Sequence, residues 1–205
     1  MVTSWIGFGR GALLLAAVAT AYGCAATQGE QASLAAESMQ KTQVEVQKVS
    51  DQIDVTLKAL NDLVEKPQAN LRPQYEAFTG TIDGLKAQAA LVKKRADDMR
   101  EQGTAYFKDW EKDPGAPISP ELKASYANIA GEFTKARDAF NPFLDSLADT
   151  QKLLGMDLTG TGVVSVIGLA KEANANAQEV KARLQAVSKE LDTVAKLLAP
   201  AKPAA

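Results

Sequence analysis

The amino-acid sequence predicts an all-α fold, an elongated antiparallel coiled coil or up-down four-helix bundle, and three observations carry that expectation. Apolar side chains recur at alternating steps of three and four residues through four segments of similar length, the period of a helical seam that packs on other helices. Stretches containing proline and glycine, the residues least compatible with a helix interior, separate the segments. No run shows the period-two alternation of a half-buried strand.

The first element is a targeting segment. Arg10 is its one basic residue, no acid precedes Glu30, and an apolar run from Ala12 to Ala19 follows. These are the n-region and h-region of a secretory signal, and a run of about 11 residues falls short of the roughly 20 a membrane-spanning helix needs. Ala21-Tyr22-Gly23-Cys24 then resembles the lipobox of bacterial lipoproteins, in which the cysteine is diacylated on sulfur and becomes the new N-terminus. The resemblance assigns lipidation to Cys24, with residues 1–23 removed as a signal peptide. Leu more often stands at the position of Ala21, and a small residue at that of Tyr22. Ordinary cleavage, leaving a soluble periplasmic protein with a free thiol, is the alternative; a lone cysteine closing an apolar run favours the lipid. Each buried methylene contributes about 0.8 kcal/mol, so two or three acyl chains would hold the protein permanently. Ala25 rather than Asp follows the cysteine, which by the sorting rule for such lipoproteins directs the chain to the periplasmic face of an outer membrane. Residues 24–33 are small and polar, as a flexible tether would be.

Residues 34–198 are expected to form the helical body. The first helix, about 34–66, carries the seam Met39, Thr42, Val46, Val49, Ile53, Thr56, Leu60 and Leu63, and Pro67 ends it. The second, about 74–112, opens after Pro73 and continues through Tyr75, Phe78, Ile82, Leu85, Ala89, Val92, Ala96, Met99, Gly103, Tyr106 and Trp110. Asp113-Pro114-Gly115-Ala116-Pro117 breaks it. Ser119-Pro120-Glu121 then supplies an N-cap, a first-turn proline and an acid matched to the helix dipole.

The third helix, about 120–154, places Leu122, Tyr126, Ile129, Phe133, Ala136, Phe140, Phe143, Leu147, Thr150 and Leu154 on one seam. Pro142 within it should kink the helix, or restart it with Asn141 as cap. Gly155 to Gly162 reads as a flexible hinge. The fourth helix, about 163–198, follows with Val166, Ala170, Ala173, Ala177, Val180, Leu184, Val187, Leu191, Val194 and Leu198, and residues 199–205 form a disordered tail. Helices of about 35 residues would be roughly 50 Å long. Seam positions filled by Ala and Thr bury little area, which raises the expectation that part of the surface serves a second protomer or a partner.

Composition narrows the function classes. Twenty-three basic and 25 acidic residues nearly cancel, so no field draws in nucleic acid. Histidine is absent, which removes the commonest general base and metal ligand. Gly155 to Gly162 lacks the Lys-Ser/Thr of a phosphate-binding P-loop. Lys93-Lys94-Arg95 stands beside Asp97-Asp98, a pattern of solvated pairs on one helix. Tyr106 and Trp110 could stack on a glycan, but seam positions more commonly pack the core. No catalytic, cofactor or metal residue is assigned, and no enzyme activity is expected.

From about Ala96 to Thr159 the chain resembles a family of bacterial envelope proteins, domain of unknown function family 2959. The likeness rests on Tyr106-Phe107-Lys108-Asp109-Trp110-Glu111, on Phe133 to Phe140, and on Asn141-Pro142-Phe143-Leu144-Asp145 continuing from Asp149 to Leu158. The family's Leu-Lys-His-Asn-Leu-Asn is here Leu154-Gly155-Met156-Asp157-Leu158-Thr159, without the basic pair. The resemblance implies a coiled-coil lipoprotein and no activity. The expected role is structural: a lipid-anchored rod, held to the membrane through Cys24, that self-associates or docks on another envelope protein. The competing expectation is a membrane-active, pore-forming protein, for which only residues 162–170 offer an apolar stretch.

Overall fold

A computed structural model describes residues 28–110 and 119–198, and every secondary-structure element in that range is a helix: α1 (Gln28–Glu65), α2 (Arg72–Trp110), α3 (Pro120–Met156) and α4 (Gly160–Leu198). At 37 to 39 residues each, they run about 57 Å at the helical rise. The expected signal segment, Cys24 and the first residues of the expected tether (1–27 in all), residues 111–118 and residues 199–205 lie outside the described residues.

The chain goes up, down, up and down. α1 packs on α2 and on α4, α3 packs on α4, and α2 touches α3 only sparsely. The result is a four-helix bundle with three well-packed sides and one loose one.

The three-four seams form the core. All eight seam residues named for α1 and all ten named for α4 are buried, as are Phe78, Ile82, Leu85 and Met99 of α2 and Ile129, Phe143, Leu147 and Leu154 of α3. Burying a side chain of this size contributes about 1.5 to 3 kcal/mol. The small seam residues of α1 and α4, with Ala136 and Thr150 of α3, are part of this core, whereas Ala89 and Ala96 of α2 are only half-buried. Ala173 and Ala177 are wholly buried and let α4 approach its neighbours. The hydroxyls of buried Thr42, Thr56 and Thr150 each donate to the carbonyl four residues earlier at 2.8 Å, so no polar atom is stranded there.

Polar pairs on the closed sides set the register. Asn61 and Asn174 exchange two amide hydrogen bonds between α1 and α4 at 2.9 and 3.1 Å, and Lys181 Nζ reaches Asp54 Oδ1 at 2.7 Å lower down. Gln88 of α2 donates to Glu45 of α1 at 2.7 Å. These tie residues more than forty positions apart to single partners.

Three expectations are corrected. α1 begins at Gln28, so residues 28–33 of the expected tether are helical; Ala32 already packs on the core, and Gln, Glu and Ala are strong helix formers. α3 runs unbroken through Pro142, so the helix does not restart at Asn141. The full burial of Phe143 holds the segment in place, and the amide of Asn176 and the hydroxyl of Ser146 both donate to the Pro142 carbonyl. The expected hinge is a turn of only three residues, 157–159, with Gly155 in α3 and Gly160 and Gly162 in α4. A Cβ on Gly162 would lie 1.9 Å from the Asp157 carbonyl oxygen, so this turn can close only on glycine.

Caps fix the other ends. Ser119 Oγ accepts from the Leu122 amide at 3.4 Å with Pro120 opening α3, as expected. At the α1–α2 connection, the Gln74 amide donates to the carbonyls of Asp62 and Lys66 at 3.1 Å while its oxygen accepts from the Gln68 amide. One side chain thereby bridges the last turn of α1 and the loop that follows it.

Candidate functional site

The loose side of the bundle is a groove. Facing positions on α2 and α3 carry small residues, Ala89 and Ala96 against Ala130 and Ala136, and the helices stand apart around a cavity of about 430 Å³. Phe133 and Phe140 form the α3 wall, half-buried although they sit on the core seam. Val92 and Ile129 lie deeper, and Val49 of α1 and Leu184 of α4 close the floor.

Two tyrosines bracket this groove. Toward the end that carries the α1–α2 connection, Tyr75 of α2 donates to the Gln151 carbonyl of α3 at 3.2 Å. Toward the other end, Tyr126 of α3 donates to the Met99 carbonyl of α2 and meets Phe107 edge-on, with ring centroids 5.0 Å apart. Each ring sits over a glycine of the facing helix. A Cβ on Gly103 would lie 1.8 Å from Tyr126 Oη, and one on Gly155 would lie 2.8 Å from Tyr75 Oη. Gly103 therefore costs helix propensity, about 1 kcal/mol, and in exchange gives Tyr126 its seat.

Burial pushes the Tyr126 phenol up to about 12, against an ordinary value of 10.0, with the contact at the Gly103 backbone and the nearby Arg100 charge opposing. A raised tyrosine pKa means that the folded state holds its proton more tightly than the unfolded chain. The associated stability is complete below pH 10 and is lost as pH rises through 12. Urea midpoints measured against pH should fall more steeply between pH 10 and 12 in the native chain than in Tyr126→Phe. Identical slopes would mean that this hydroxyl is not seated on α2.

Charge is unevenly placed around the groove. Lys86, Lys93 and Arg100 follow one another at seven-residue intervals along α2, Arg137 stands on α3, and Asp97 is the one acid among the lining residues. Lys93 and Arg100 lie 2.7 and 3.6 Å from Asp97, whose carboxyl is held below its usual range chiefly by the hydrogen bond from Lys93. Arg137 pairs with Asp138 at 2.8 Å. Lys86 has no ion pair among the described residues. All of these pairs are exposed and contribute little to stability.

The sequence-derived site positions divide as follows. Cys24 and the side chains of Tyr106 and Trp110 lie outside the described residues. Lys93 and Lys94 form the expected helical pairs, with Asp97 and Asp98 at 2.7 and 3.0 Å. The glycine-rich turn offers no open cradle, since the Gly162 amide already lies 3.5 Å from the Thr159 hydroxyl. The groove itself was hidden in the sequence, where Ala89, Ala96, Phe133 and Phe140 occupy seam positions like any others. What distinguishes them is that α2 and α3 face each other along them.

The family model described as "Protein of unknown function (DUF2959)" matches residues 29–199. No curated protein and no solved structure matches the chain.

Proposed function

Because the chain belongs to the family described as "Protein of unknown function (DUF2959)", whose name assigns no activity, we propose its role from its own architecture: a lipid-anchored envelope protein that acts as a non-catalytic spacer and docking rod. One observation supports this above others. The helix that follows Cys24 starts at one end of the bundle, and a set of exposed apolar side chains lies at the other, about 57 Å away along α1. Leu153 and Met156 of α3 and Val164 and Ile167 of α4 are 39, 77, 67 and 36% exposed around the three-residue turn. Apolar side chains gathered in this way mark interaction surfaces more often than scattered ones do. An acyl chain on Cys24 would hold the near end at the outer membrane and leave the turn free to meet an envelope partner.

The pore-forming alternative has less support. No helix among the described residues is long and apolar enough to cross a membrane. The stretch 162–170 turns Gly162, Val163, Val166 and Ala170 into the bundle core.

Cys24→Ser should abolish fatty-acid labelling and membrane retention. A photo-crosslinking residue at Met156 in living cells should capture one stoichiometric protein partner, whereas the same residue at Lys123, at the opposite end, should not. Retention of the Cys24→Ser protein on the membrane would defeat the anchor, and equal capture from both ends would defeat the docking tip.

A further inference from the structure

We infer that the α2–α3 groove binds one long-chain fatty carboxylate, its alkyl chain lying along the groove and its head group on the basic rim. Volume selects the class of occupant. A cavity of about 430 Å³ lies within the range of small-ligand sites, roughly 300 to 1,000 Å³. It is too narrow to seat a partner helix, which is about 10 to 12 Å across with its side chains. Tyr126, which lines the groove and donates to the Met99 carbonyl, ties α2 to α3 at one end of it.

The lining selects the body of the ligand. Ala89, Val92 and Ala96 face Phe133, Ala136 and Phe140, a surface that offers an alkyl chain contact along its length and few hydrogen bonds. From Lys86 to Arg100 the α2 wall extends about 21 Å at the helical rise, so the trough is long and narrow rather than round. Its elongated lining and open side suit a single unbranched chain.

The rim selects the head group. Four basic side chains and one acid line the groove of a chain whose net charge is −2. Lys86 and Arg137 lie on opposite walls, so an anion can be met from either helix. Lys86 gives up no ion pair to do so, and Arg137 gives up only its exposed contact with Asp138.

Isothermal titration of the purified Cys24→Ser protein with hexadecanoate, below the concentration at which it forms micelles, tests the inference. Cys24→Ser removes the protein's own acyl chains from competition. One equivalent should bind, and hexadecanol should bind at least tenfold more weakly. Ala96→Phe, which fills the trough, should abolish binding, with its melting curve checked to confirm folding. The surface variant Lys86→Gln/Arg137→Gln should keep the native melting temperature and weaken hexadecanoate binding about tenfold while leaving hexadecanol unchanged. Absence of saturable binding overturns the inference, as does binding indifferent to Ala96→Phe. Equal affinity for hexadecanol would remove the role of the rim. Tighter binding of a lysophosphatidylglycerol would replace the free carboxylate by a phospholipid, and failure of the lipidated native protein to bind would show the groove filled by its own anchor.

Discussion

Phe143→Ala should lower the stability of the bundle by about 3 to 5 kcal/mol, the range for removing a fully enclosed aromatic ring. Phe143 is wholly buried on α3 and meets Phe140 edge-on, with centroids 6.0 Å apart and planes at 77°. The residue before it is a proline, which deprives the Asp138 carbonyl of a helical donor. α3 stays continuous there because the Phe143 ring is packed and because Ser146 and Asn176 donate to the Pro142 carbonyl. Alanine would remove the first of these supports and leave a cavity. For a chain of this size each kcal/mol moves the melting temperature by roughly 2 to 4 °C, so a fall on the order of 10 °C is expected. Thermal melting followed by circular dichroism measures it. A fall under about 3 °C would place Phe143 at the surface.

Ile53→Asp and Val92→Asp should part company, although both residues sit on a three-four seam. Ile53 is fully enclosed, and an aspartate there would strand a carboxylate or force it to take a proton, a loss of several kcal/mol that should leave the protein largely unfolded. Val92 is 8% exposed and lines the α2–α3 groove. A carboxylate at that position can turn toward the opening and toward Lys93 and Arg100. It should therefore cost at least about 1 to 2 kcal/mol less, in proportion to the solvation it keeps. Urea denaturation of the pair gives the comparison, and equal losses would mean that α2 and α3 close on one another in solution.

That contrast marks how far the sequence could be read. The all-helical class, the four segments and nearly every enclosed residue of α1 and α4 follow from apolar spacing, because a side chain's depth in a bundle is set by its angle around its own helix. Angle does not say which helix stands opposite. Ala89 and Ala96 have core spacing yet line an opening, because their neighbours across the gap are reached through helix order alone. The Tyr126 seat illustrates the same limit: Gly103 and Tyr126 are 23 positions apart and nothing local joins them. The start of α1 and the length of the α3–α4 turn were misread for a different reason. Composition marked 24–33 and 155–162 as loose, and contacts with the core, together with a turn that closes on Gly162, outweighed it.

Zero-length coupling across α1 and α4 tests the central arrangement most directly. Lys181 Nζ lies 2.7 Å from Asp54 Oδ1, 127 positions away in the chain, and the two are in contact because α4 returns to α1 to close the bundle. Carbodiimide treatment of dilute protein, followed by digestion and mass spectrometry, should find an isopeptide bond between residues 54 and 181 within monomeric chains. Its absence, or its appearance only between chains mixed from isotopically light and heavy protein, would contradict a four-helix bundle closed by a single copy.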